Sequence, residues 1–204
     1  MLYNIANTQS QPKIDTLSAF YREIGTNPDK LVSFKEFINL LNPSNNQTYN
    51  FNSLFEGMRK QNGWGDKTAA LFVKSVYHIN SGEYGENLKF WDDCPSKIDD
   101  NDKFFLPVDA VIIAIFKEIN PNVKRDFKGI NKFLKDEKNY SNLDIEIWDD
   151  LWFWGFITQK GSDDNRSFGW NDNKYWNLFE TNKDAKEIEI IEEKANEFLN
   201  ILLA

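Results

Sequence analysis

Cysteine is nearly absent from this chain. Cys94 is the only one, which excludes an internal disulfide, a cysteine zinc site and an iron–sulfur cluster. Histidine also occurs once, as His78, on a stretch with apolar neighbours, where it reads as a packed or surface residue rather than a ligand. No apolar run approaches the roughly 20 residues that a membrane-spanning helix needs. The opening Met1-Leu2-Tyr3-Asn4 lacks the basic segment and apolar block of a secretory signal. The expected setting is therefore the reduced cytoplasm, with no membrane partner. Positive charge is short as well: 24 Lys and Arg face 32 Asp and Glu, a net charge of −8. That argues against a protein that grips nucleic acid mainly by Coulomb attraction. It leaves open one that uses backbone amides and a local patch, with the acidic residues on another face. Alternation at period two is missing beyond a few residues, and there are no internal repeats.

Aromatic residues are plentiful, with 17 Phe, 7 Tyr and 7 Trp, enough to fill one large core or two lobes in 204 residues. Leu17, Phe20, Tyr21 and Ile24 recur at helical spacing, with Gly25 as a terminator. Ser33 and Glu36 form a capping-box pattern, with Val32 and Phe37 placed as its hydrophobic staple. Further apolar stripes run through Phe51–Met58, Ala69–Val76, Ile112–Ile119, Val123–Leu134, Ile147–Gly155, Tyr175–Phe179 and Ile188–Leu202. Residues 1–12 read as a loose arm, and 80–106 as a long polar connection. The expected class is all-α. One domain over 1–204 is expected, with residues 13–50 and 110–204 forming one lobe, 51–109 the other, and a cleft between them.

The stretch that points to chemistry is Gly63-Trp64-Gly65-Asp66-Lys67-Thr68. It joins two helical patterns by a very short turn, a helix-hairpin-helix arrangement. Glycines allow a tight turn and close approach of a ligand. The free amides at the start of the second helix can hold an anion such as a DNA phosphate. Lys67, in the first turn of that helix, lies at the positive end of the dipole, which favours the neutral, nucleophilic amine. Downstream, Leu106-Pro107-Val108-Asp109 places a carboxylate at another helix start. A carboxylate near a sugar C1′ can stabilise an oxocarbenium-like state and help deprotonate the lysine.

Taken together, Gly63–Ala69, Leu106–Asp109 and the later Asp150-Leu151-Trp152-Phe153-Trp154-Gly155 resemble the helix-hairpin-helix DNA glycosylase superfamily, which includes endonuclease III and the 8-oxoguanine DNA glycosylases. The resemblance covers roughly residues 51–79 and 104–157 in the family's order. It implies Lys67 as the Schiff-base nucleophile and Asp109 as the catalytic carboxylate. It also implies Gly63, Gly65 and Thr68 as DNA-binding residues. Trp152 or Trp154 would stack on a flipped base. The implied activity is excision of an oxidised base, 8-oxoguanine foremost, followed by β-elimination strand cleavage. The implied substrate is double-stranded DNA with a damaged base, acted on by a monomer with no metal or organic cofactor. The long connection between Lys67 and Asp109 brings the chain nearer to the archaeal 8-oxoguanine branch. Departures lie in the DNA-contacting positions: Gln61-Asn62 replaces a Leu-Pro pair, Asp66 fills an often basic position, and Val111 stands where His or Arg is common.

Plainer readings stand beside these. The hairpin can be an ordinary helix connection, Asp109 a plain N-cap, and the Trp148–Trp154 stripe mostly core. Asp92-Asp93 and Asp99-Asp100 could suggest a two-metal nuclease, but without regular spacing they read as solvated loop charge. Other functions stay open: an idle helical module that binds DNA or protein, or a glycosylase for another modified base.

Overall fold

Several helix starts in this chain coincide with side chains that accept hydrogen bonds from the first amides. The computed structural model describes residues 1–9, 12–43, 48–82, 84–162, 166–178 and 184–204. Part of the Asn-rich stretch and Phe179 lie outside the described residues. In chain order the helices are α1 (Leu2–Ala6), α2 (Ile14–Thr26), α3 (Phe34–Leu41), α4 (Phe51–Met58) and α5 (Asp66–Asn80). They continue with α6 (Ala110–Ile119), α7 (Phe127–Lys132), α8 (Asn142–Ile157), α9 (Asp172–Leu178) and α10 (Ala185–Leu202). Among the described residues one antiparallel ladder, β1 (Gln159–Lys160) with β2 (Ser167–Phe168), interrupts them. The class is all-α, as the periodicity indicates.

The chain divides into two compact units, Met1–Pro107 with Ser141–Leu143, and Val108–Tyr140 with Asp144–Ala204. Residues 13–50 thus group with 51–107, where the sequence paired them with 110–204. The reason is aromatic packing: Phe34 meets Phe51 edge-on, Phe37 faces Phe72, and Trp91 stacks on Phe37. In the second unit Ile112, Ile115 and Phe116 of α6 are fully buried, as are Ile130 and Leu134. A further cluster joins Ile157, Tyr175 and Ala195, with Phe153 and Trp154 packed against it. Gly155 lets α8 lie directly on α6, since a Cβ there would stand 2.5 Å from Ile115 Cδ1 and 2.8 Å from Val111 Cγ1.

The connection after α5 is a structural strap. Asp93 accepts from the amides of Phe34 and Lys35 at 2.8 and 3.1 Å, capping α3 from outside. Asp102 does the same for α4, accepting from Phe51 and Asn52 at 2.8 and 2.9 Å. Asn80 donates to Trp91 O, and Trp91 Nε1 donates to Leu31 O, so the strap is sewn down along its length. Asn142 closes it with bonds to Asp99 O, Asp102 O and the amide of Phe104. Asp93 and Asp102 are therefore acceptors for amides at helix starts, those of buried Phe34 and Phe51 among them, and Asp93 is not the solvated loop charge that its pairing with Asp92 suggests.

Other differences are local. Residues 2–6 form α1 instead of a loose arm, because Ile5 and Ala6 are buried where α1 packs on α5. α2 runs through Gly25 to Thr26, and Asn27 ends it. Ser33 caps α3 as expected, accepting from Glu36 N at 3.1 Å. Val32 is 72% exposed and makes no staple, while the Glu36 carboxylate pairs with Lys30 at 2.6 Å. Val123 lies outside α7, whose start is set by Asp126 accepting from Gly129 N at 2.7 Å, and a π-helical turn follows at Phe133–Glu137.

Replacing Asp102 leaves the amide of fully buried Phe51 without its acceptor. D102A should lower unfolding stability by about 1–3 kcal/mol, D93A by less, and exposed D92A by under about 0.5 kcal/mol. Urea unfolding followed by tryptophan fluorescence measures all three.

Candidate functional site

α5 springs from a turn that the first unit holds on one side. Gly63 takes φ +81°, and a Cβ there would lie 2.8 Å from Leu17 Cδ2, so both conformation and space require glycine. Its carbonyl accepts from Gln9 Nε2 at 3.0 Å. Trp64 is buried between the rings of Phe20 and Phe72, at 5.6 and 5.8 Å. Gly65 is different: φ −118° suits any residue, and a Cβ would meet nothing within 4 Å. The fold itself makes no demand for glycine there.

Thr68 is buried and its hydroxyl is used inside the turn, accepting from Gly65 N at 3.0 Å and donating to Gly65 O at 3.1 Å. Its contribution is to the shape of the turn. The amides of Asp66 and Lys67 occupy the first turn, where no intrahelical acceptor exists and the helix dipole is positive. Lys67 is half-buried, and its Nζ donates to Thr8 O at 3.4 Å. Asp66 pairs with Arg59 at 3.5 Å, and Arg59 Nε lies 3.6 Å from Glu56. These partly exposed pairs add little stability, but they set a cation against the carboxylate that departs from the expected motif.

In the second unit Asp109 is the N-cap of α6. One oxygen, Oδ1, accepts from the amides of Val111 and Ile112 at 2.8 and 3.1 Å. The other, Oδ2, accepts from Trp152 Nε1 at 2.8 Å. Three donors thus fix the carboxylate in place, and it remains half-exposed. Trp152 is itself held by stacking on Phe156, with centroids 5.0 Å apart and planes at 12°. Lys174 Nζ sits 5.0 Å from the centre of the Phe156 ring on a face of it. The structure therefore joins Asp109 to Trp152, as carboxylate and positioning donor. Trp154 goes elsewhere, packing on the Ile157 cluster and facing Phe198 at 6.5 Å. Gly63, Gly65, Lys67 and Thr68 share the turn of the first unit.

The sequence reading missed Gln159. It is fully buried just past α8, donates from Nε2 to Val111 O at 3.1 Å, and accepts from Arg166 Nη1 at 3.0 Å. Among the described residues no cluster of His, Cys, Asp and Glu suits a metal ion. The Cys94 thiol is pushed up to about 12 by burial and by the charge of Asp93, so it is not a nucleophile near neutral pH.

Comparison of the chain with protein-family models, curated proteins and solved structures finds no match. What the fold and its side chains define is an all-α protein with a lysine at one helix start and a pinned carboxylate at another.

The Asp109–Trp152 contact predicts a coupling. D109N keeps an acceptor for the α6 amides but turns an amino group toward the indole N–H. D109N and W152F should each cost about 1 kcal/mol, and the double variant little more than either alone. A urea double-mutant cycle checks this.

Proposed function

We propose that the chain is a bifunctional DNA glycosylase and AP lyase of the helix-hairpin-helix type, acting in base-excision repair. On this reading α4, the Gly63–Gly65 turn and α5 are the helix-hairpin-helix, and its first-turn amides hold a phosphate of the damaged duplex. The observation that carries the reading is the state of Asp109: a half-exposed carboxylate fixed by two amides and an indole, at the position that the family resemblance gives to the catalytic carboxylate. Gly65 supports it, because the open space above that residue is free for a backbone to approach.

The chemistry follows from two groups acting on one nucleotide. The nitrogen lone pair of Lys67 adds to C1′ as the bond from C1′ to the base breaks. Asp109 stabilises positive charge on the sugar during that step. The proton lost from nitrogen goes to the departing base; the C1′–O4′ bond then breaks, O4′ takes a proton from water, and an iminium is left between Lys67 and C1′. Loss of a C2′ proton then expels the 3′ phosphate, and water releases Lys67. No metal or organic cofactor is required. The substrate class is an oxidised purine, with 8-oxoguanine first, and the enzyme works as a cytoplasmic monomer. Lys67 must leave Thr8 O to reach a sugar.

Borohydride added during turnover of duplex DNA containing 8-oxoguanine should trap a covalent protein–DNA adduct. K67A should give none, and D109N should lose base excision while remaining folded. Absence of an adduct from the wild type on both 8-oxoguanine and abasic duplexes would defeat the lyase assignment. Duplex binding with a negative dependence on log salt would then indicate a non-catalytic DNA-binding module, and no binding at low salt a protein-binding one.

A further inference from the structure

The outer face of α6 carries a feature that the excision chemistry does not use. A cavity of about 440 Å³ opens there, lined by the apolar Ala110, Ile113, Ala114 and Phe168 and by Lys117, Arg125 and Arg166, with Glu118 as the one carboxylate among the described residues that line it. In a chain of net charge −8, three cations around one pocket need an explanation. No ion pair with a carboxylate engages Lys117, Arg125 or Arg166 among the described residues. Arg166 is held from behind: its Nη1 donates to fully buried Gln159, which is anchored on Val111 O. Its Nε is buried without a partner among the described residues. A buried guanidinium N–H lacking an acceptor is costly unless a ligand supplies one. The neighbouring Lys174 has its pKa pushed below the ordinary lysine range, first by burial and then by the charge of Arg166.

We infer that this cavity binds one nucleotide of a nucleic-acid strand, its phosphate between Arg166, Arg125 and Lys117 and its base on the apolar floor beside Phe168. The fit is chemical. Arginine forks match phosphate oxygens, an aromatic and aliphatic floor accepts a base face without choosing its sequence, and Lys117 and Arg125 stay exposed to meet the backbone. The inference rests on the nucleic-acid reading above and adds a second contact for the strand, outside the excision chemistry.

The test is binding, read by fluorescence anisotropy of a labelled short oligothymidylate against the full chain. Inorganic phosphate and thymidine monophosphate are titrated separately by calorimetry. R166Q and the exposed double variant K117Q/R125Q should each weaken oligothymidylate binding about tenfold, with thermal melts confirming that both are folded. The slope of log affinity against log salt should become shallower by about 0.7 per cation removed. K30Q, at a lysine that pairs with Glu36 in the first unit and belongs to neither site, should bind like the wild type, which separates loss at this pocket from loss of positive charge in general. Variants that bind the oligomer as tightly as the wild type, or a wild type that does not bind it, would overturn the inference. So would phosphate or thymidine monophosphate binding that is lost in the variants while oligomer binding is unchanged, since the occupant would then be a free phosphate ester. Variant-sensitive oligomer binding without any borohydride adduct would support this site and count against the lyase.

Discussion

Every helix begins with amides that have no partner in the helix itself, and at several helix starts this chain meets that demand with carboxylates. Asp109, Asp126 and Asp184 cap the helices they precede, while Asp93 and Asp102 reach α3 and α4 from a distant strap. A negative group at a helix start also lies at the favourable end of the dipole. Part of the acidic composition is thereby spent on structure instead of solvation. The strap after α5 is ordered by the same demand, for its two capping aspartates are the points where it grips the helices beneath it.

Asp109 shows how one such cap becomes a site. The two amides of α6 set the position of its carboxyl plane, and the indole of Trp152 reaches its second oxygen from α8. That reach depends on the close approach allowed at Gly155, where any side chain would collide with Ile115. One helical turn further on, Gln159 returns to Val111 O and steadies Arg166. Trp152, Gly155 and Phe156 of α8, with Gln159 just past its end, therefore order both the carboxylate and the cationic pocket along α6. Neither feature would survive a shift of α8 against α6.

Much of the helical framework is legible in the sequence, because apolar periodicity and local caps such as Ser33 act over three or four residues. The candidate carboxylate is legible too, as a Pro-Val-Asp helix start. What is hidden has a long sequence separation or a short length. Trp152 meets Asp109 across 43 residues, and no local pattern marks that pair. Gly and Asp in the strap look like loop composition until the amides they serve are known. α1 spans five residues, too few for periodicity, and is held by burial on α5. The β1–β2 ladder has two residues in each strand. Thr68 illustrates the reverse case: its place in the motif suggests an outward contact, while burial turns its hydroxyl inward.

The remote caps also have a consequence in time. Asp93 lies 59 residues after Phe34, and Asp102 lies 51 residues after Phe51. On a growing chain α3 and α4 emerge with only their local caps, Ser33 and Asn50, and the acceptors for their first amides are synthesised seconds later. Closing such long loops is entropically slow. The N-terminal half is thus obliged to wait, partly ordered, until the ribosome has released the strap.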